Sequence, residues 1–103
     1  MSDFVTVGKA SNLPEGSLLV AEVGNQNVVV AHVEGEFYAI GEECSHSGGP
    51  LGDGRLVGCE IECPWHGSRF DLRTGEATAP PATSPVTRYA VKIEGDDILV
   101  GPA

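Results

Sequence analysis

Short apolar runs, broken every few residues by turn formers, constrain this chain more than any other feature. "LLVAEV" (18–23), "GNQN" (24–27) and "VVVAHV" (28–33) read as strand, turn and strand, and "EGE" (34–36) leads into "FYAIG" (37–41). "FVTV" (4–7) opens the series, and "RYAVKIEGDDILV" (88–100) closes it as a hairpin around "EGDD". "RLVGCEIEC" (55–63) alternates, which predicts one strand with Val57, Cys59, Ile61 and Cys63 on one face. No window carries a helical period. Strands of this length and spacing predict an all-β fold, an antiparallel sandwich or barrel. The 103 residues suit one domain, 1–103, without internal repeat or linker.

Two segments break the strand rhythm. Residues 42–54, "EECSHSGGPLGDG", are almost all turn formers, and residues 78–85, "TAPPATSP", hold three prolines. Each proline fixes φ and removes a backbone donor, so the second segment is expected as a stiff extended loop.

Charge narrows the partners. A net charge of −9 with only six Lys and Arg argues against nucleic acid, whose phosphates need cations, and against anionic membrane surfaces. A basic protein surface is the natural counterpart. No apolar run is long enough to span a membrane, and the N-terminus lacks the basic-then-apolar pattern of a secretory signal. A cytoplasmic protein is therefore expected. In a reducing compartment three cysteines point to metal ligation or core burial, not to a disulfide framework.

The chemistry concentrates in two Cys–His pairs. Cys44-Ser45-His46 lies in the first irregular segment, and Cys63-Pro64-Trp65-His66 follows the alternating stretch. Sixteen residues separate His46 from Cys63, room for a turn and a strand to bring the loops side by side. Each loop would then offer one thiolate and one imidazole to a shared centre. A structural zinc accepts that donor set, although the usual order is two cysteines followed by two histidines on a helix. A [2Fe–2S] cluster with cysteines on one iron and histidines on the other accepts it as well. The glycines of "SGGPLGDG" and "HGS" allow backbone N–H groups to turn toward such a centre.

The paired motifs, their spacing and the proline-rich segment resemble the Rieske-type proteins, and within them the small ferredoxins of bacterial multicomponent aromatic-ring-hydroxylating dioxygenases. The resemblance covers nearly the whole chain. It implies a Rieske fold with a cluster-binding subdomain of two loops at about 42–76, and one [2Fe–2S] cluster per chain. Cys44 and Cys63 would hold one iron, and His46 and His66 the outer one. It also implies an electron carrier and not an enzyme: single electrons would pass from an NAD(P)H-dependent flavoprotein reductase to a terminal Rieske non-haem iron oxygenase, and a monomeric carrier is expected. High-potential respiratory members carry a second cysteine in each loop, joined as a disulfide, and a Ser and a Tyr that donate hydrogen bonds to the cluster. Here "SGG" and Trp65 replace those cysteines, Ser68 matches the Ser, and Phe70 stands at the Tyr position. Fewer donors predict a potential in the lower Rieske range, roughly −150 mV to near zero. Alternative readings are the small Rieske-like subunit of an assimilatory nitrite reductase, a zinc-stabilised interaction module, and an iron–sulfur sensor.

Other residues invite plainer roles. Cys59 reads as a small buried hydrophobe, and His32 as an ordinary strand histidine. Trp65 is a candidate for docking or cluster shielding. Pro80 and Pro81 resemble the family's proline loop over the cluster. Glu42, Glu43 and Asp53 read as an acidic rim for a basic partner.

Overall fold

A computed structural model describes residues 4–44, 49–65, 67–80 and 82–102. Ten strands build two antiparallel sheets. The larger takes β1 (Val5–Lys9), β2 (Ser17–Val23), β3 (Gln26–Val33), β4 (Glu36–Gly41), β9 (Arg88–Glu94) and β10 (Asp97–Pro102), in the order β1-β10-β9-β4-β3-β2. Its two outer members, β1 and β2, touch, so the sheet nearly closes on itself as a barrel. The smaller takes β5 (Arg55–Val57), β6 (Glu60–Glu62), β7 (Arg69–Asp71) and β8 (Ala77–Ala79), in sequential order. It is inserted between β4 and β9, which are hydrogen-bonded neighbours in the larger sheet. Two 3-10 turns, Ala10–Asn12 and Leu51–Asp53, are the helical elements among the described residues.

The valine run explains the layering. In β3 Val28 and Val30 enter one core with Leu13, Ala39, Ile98 and Val100, inside the barrel. Val29, Ala31 and Val33 enter a second core with Ile40, Leu51, Ile61, Phe70 and Leu72, between the barrel and the smaller sheet. A strand covered on both faces needs apolar residues at successive positions, hence "VVVA" in place of alternation. The second core also contains Cys44 and Cys63, so the inserted sheet and the sulfur-bearing loops share one apolar support.

Tight hairpins set the register. Val23 pairs with Gln26, Val33 with Glu36, and Glu94 with Asp97, each leaving a two-residue turn. In the middle turn Glu34 adopts φ 53°, an uncommon conformation for a residue with a Cβ. The Glu15 carboxylate stabilises it by accepting the Glu34 and Gly35 backbone N–H groups.

The stretch 55–63 differs from expectation. It is not one strand but a β5–β6 hairpin, with Val57 paired to Glu60 around Gly58-Cys59. Gly58 has φ 60°, which glycine alone adopts without cost, and the chain reverses there. The alternation of Val57, Cys59 and Ile61 spans a turn, so it defines no common face. The proline-rich segment is also more regular at its start than expected. Ala77 and Ala79 pair with Phe70 and Arg69 of β7, across a register irregularity.

Candidate metal centre

β4 runs out through Gly41 to Glu42, Glu43 and Cys44. Two contacts anchor that exit: the Gly41 N–H donates to the Thr87 carbonyl at 2.8 Å, and the Glu42 N–H to the Asn27 carbonyl at 3.0 Å. The first loop then closes on itself, because the Cys44 N–H donates to the Gly49 carbonyl at 2.9 Å and Glu43 bridges Pro50. The second loop leaves β6 and returns into β7. The Cys63 N–H donates to the Ser68 carbonyl at 2.7 Å, and the Gly67 N–H donates back to the Cys63 carbonyl at 3.1 Å. Each loop therefore holds its cysteine at its base through a short backbone clasp.

Both cysteines are buried in the second core. Cys44 is 2 % exposed and Cys63 1 %. The loops touch at Gly49: a Cβ there would lie 3.0 Å from Cys63 Sγ and 2.9 Å from Trp65 Cδ2. Only a residue without a side chain lets the first loop come this close to the second cysteine. Trp65 covers this junction on one side and is 57 % exposed on the other.

A third segment locks onto the second loop. Ser68 is fully buried, and its Oγ accepts the Ala82 N–H at 3.1 Å. Accepting that bond leaves the hydroxyl proton available to a neighbouring acceptor. Phe70, fully buried in the second core, brings no hydroxyl. Next to Cys63, the Glu62 carboxylate receives Arg55 Nε at 2.9 Å and Arg69 Nε at 3.1 Å, tying three strands together. Hydrogen bonds from Arg55 and then Arg69 hold its carboxyl below the usual range.

Of the four expected ligands, Cys44 and Cys63 are both buried in the second core, while His46 and His66 lie outside the described residues, as does Pro81. Among the described residues no group of three His, Cys, Asp or Glu side chains converges, as expected when half of the donor set lies outside them. Cys59 stands at the far end of β6 from Cys63, half-buried against the second core. Burial raises its thiol pKa, and the hydrogen bond and charge of Glu34 raise it further, so the thiol form is favoured. His32 stacks on Phe37 with ring centroids 4.1 Å apart, and its Nδ1–H donates to the Leu13 carbonyl at 2.8 Å. Glu43 and Asp53 are exposed and Glu42 half-buried along the first loop.

Sequence reading alone did not find Gly49 as the contact between loops, the Ser68–Ala82 bond or the Glu62 clamp. Each depends on which loop faces which, and only the Arg and Glu residues of the clamp carried any compositional signal.

Buried paired sulfurs in adjoining glycine-bearing loops suit a sulfur-ligated iron centre. The comparisons agree. The family model for the Rieske [2Fe-2S] domain matches residues 3–90. The ferredoxin component of a naphthalene 1,2-dioxygenase system from Pseudomonas aeruginosa is 42 % identical over 85 % of each chain. The biphenyl 2,3-dioxygenase ferredoxin component of Rhodococcus jostii is 41 % identical, covering 88 % of this chain and 85 % of that one. Among solved structures, the ferredoxin of carbazole 1,9a-dioxygenase from Nocardioides aromaticivorans superposes with a TM-score of 0.94 at 38 % identity, over 99 % of this chain and 100 % of that one. A ferredoxin solved in complex with the oxygenase of carbazole 1,9a-dioxygenase gives 0.92 at 30 % identity, over 98 % and 94 %. With this fold, this pair of sulfurs and these relatives, the chain belongs to the Rieske [2Fe-2S] domain family, and its cofactor is a Rieske-type [2Fe–2S] cluster.

Proposed function

We propose that this chain is the ferredoxin of an aromatic-ring-hydroxylating dioxygenase system, taking single electrons from an NAD(P)H-dependent flavoprotein reductase and delivering them to a terminal Rieske non-haem iron oxygenase. The observation that carries the reading is the junction of the two cysteine loops, with Cys44 and Cys63 buried at their bases and Gly49 against Cys63 Sγ. Names of the relatives, and their coverage of 85 to 99 % of this chain, support the same role, and one solved neighbour is a ferredoxin in complex with its oxygenase.

In this reading Cys44 and Cys63 hold the inner iron, and His46 and His66 the outer iron. When bound, the cluster accepts and releases one electron without exchanging atoms. The chain's own residues prepare that site. The backbone clasps hold each cysteine at the base of its loop. The second core excludes water from the sulfurs. Ser68, steadied by Ala82, keeps a hydroxyl proton to offer, while Phe70 offers none, which supports a potential in the lower Rieske range. Trp65 and the acidic rim of Glu42, Glu43 and Asp53 border the loops and suit a basic docking face. The whole chain acts as one domain, 1–103, with 42–76 as its cluster-binding part. It works in the cytoplasm, and no helix among the described residues is long and apolar enough to cross a membrane.

The test is direct. Purified protein should be red-brown, contain two irons and two acid-labile sulfides per chain, and give a rhombic signal on one-electron reduction. His46→Ala and His66→Ala should each abolish that signal. One zinc per chain, with no labile sulfide, would overturn the reading.

A further inference from the structure

Among the described residues four large apolar side chains are exposed: Val5, Val20, Trp65 and Ile93. Val5 opens β1, and Ile93 precedes the β9–β10 turn. Val20 and Trp65 instead flank one short segment, residues 49–52 of the first cysteine loop. At one end a Cβ on Gly49 would lie 2.9 Å from Trp65 Cδ2; at the other a Cβ on Gly52 would overlap Val20 Cγ2. Between them Pro50 is half-buried and Leu51 fully buried. Register puts Val20 on the matching face of the barrel. It pairs with Val29, and Val29 and Leu18 both pack in the second core. Val20 therefore lies on the barrel's outer wall, at the edge of the core that holds Leu51.

Acidic side chains border this strip. Glu42 is half-buried, with Oε2 2.7 Å from where a Gly52 Cβ would stand, and Glu43 and Asp53 are exposed. None of the three joins an ion pair among the described residues. Arg55, the next basic residue along the chain, is committed to Glu62. An apolar centre with a charged rim is the anatomy of a protein-binding face, and an exposed tryptophan is a common energetic anchor.

Charge selects the occupant. A second copy would bring the same acidic rim on a chain of net charge −9, and an anionic membrane would be repelled alike. A protein face with a basic rim around an apolar hollow is the complement. We propose that the terminal oxygenase docks across this strip, from Trp65 over Pro50 to Val20, with Val20 as the barrel's contribution to partner recognition. This inference rests on the electron-delivery reading above and deepens it by extending the footprint beyond the cysteine loops.

The test titrates the oxidised, cluster-loaded protein with the terminal Rieske oxygenase of the same host and reads the heat of binding, without turnover. Trp65→Ala should weaken binding at least about tenfold, ~1.4 kcal/mol. Val20→Ser should weaken it by about fivefold, with visible absorbance unchanged. Ile93→Ser serves as the control, because Ile93 is 41 % exposed against 45 % for Val20, and should bind as the parent does. Raised salt should weaken the parent, and Glu43→Gln should reduce that dependence. Parent-like binding by Val20→Ser, or an equal loss in Ile93→Ser, would overturn the docking strip and leave the delivery role standing. Failure of the parent itself to bind the oxygenase would instead overturn the delivery reading. Sedimentation of the ferredoxin alone supplies a further arm: a dimer that Val20→Ser dissolves would put a second copy on the strip and overturn the proposal. So would a Val20→Ser defect confined to the flavoprotein reductase.

Discussion

Adding one methyl group at Gly49 tests how the two cysteine loops meet. The new Cβ would lie 2.9 Å from Trp65 Cδ2, 3.1 Å from Trp65 Cε3 and 3.0 Å from Cys63 Sγ. Carbon atoms rest at about 3.5–4.0 Å, so all three contacts are too close. The indole is 57 % exposed and can swing outward, which relieves the first two. The sulfur cannot follow, because Cys63 is 1 % exposed and its N–H is bound to Ser68. The first loop must therefore give, against the Cys44–Gly49 hydrogen bond and the Glu43–Pro50 bridge. Overpacking of this kind costs about 1–3 kcal/mol. Alanine also lowers the entropy of the unfolded chain, returning about 0.4–1 kcal/mol, and Gly49 has no positive φ to add strain. The steric effect wins, with a net loss of about 1–2 kcal/mol. In urea, with a slope of about 1–3 kcal/mol per molar, the midpoint for loss of visible absorbance should fall by roughly 0.5–1 M. Emission from Trp65, the chain's one tryptophan, should shift to the red as the indole moves into water. Gly8→Ala, whose methyl meets only Leu19 Cδ2 at 3.4 Å, serves as the control. An unchanged midpoint together with unchanged emission would refute the contact between the loops.

Ser68→Ala should destabilise by about 1–3 kcal/mol, since the Ala82 N–H loses its acceptor in a buried setting; redox titration should also show a lower potential. Cys44→Ser should yield colourless and poorly folded protein, whereas Cys59→Ser should keep colour and reduced-state signal; bleaching by the latter would move Cys59 into the ligand set. Hydrogen bonding from Arg73 holds the Asp71 carboxyl below its ordinary range. A lowered folded-state pKa gives stability that is present above about pH 4, the unfolded value, and is lost as pH falls through the folded value. Asp71→Asn should thus lower stability at pH 7, with the difference from the parent shrinking in acid, as read from urea midpoints across pH.

The barrel was legible because its signals are local. Consecutive valines in β3 announce burial on both faces, and dipeptide turns such as Gly24-Asn25 and Gly95-Asp96 announce hairpins. The inserted sheet was less so. In 55–63 a chance alternation across Gly58 imitated one strand, and "ATA" at 77–79 has no apolar signature because its partner β7 supplies the burial. The site divides in the same way. Cys44, His46, Cys63 and His66 stand out by type and spacing, and Cys44 and Cys63 are both buried in the second core. What holds them there comes from residues with no chemical signature of their own: a glycine, a backbone carbonyl and a buried serine. Their importance depends on distances between segments far apart in the chain.

The inserted sheet departs from β4 and rejoins at β9, and those strands are joined at the departure point by the Gly41–Thr87 hydrogen bond. Entry and exit are thus side by side, like the two ends of a cartridge in a single slot. Loop length, ligand surroundings and docking face can all be altered within the cartridge while the barrel keeps its closure. The platform and the redox unit can therefore diverge at separate rates, one answering to folding and the other to its electron-transfer partners.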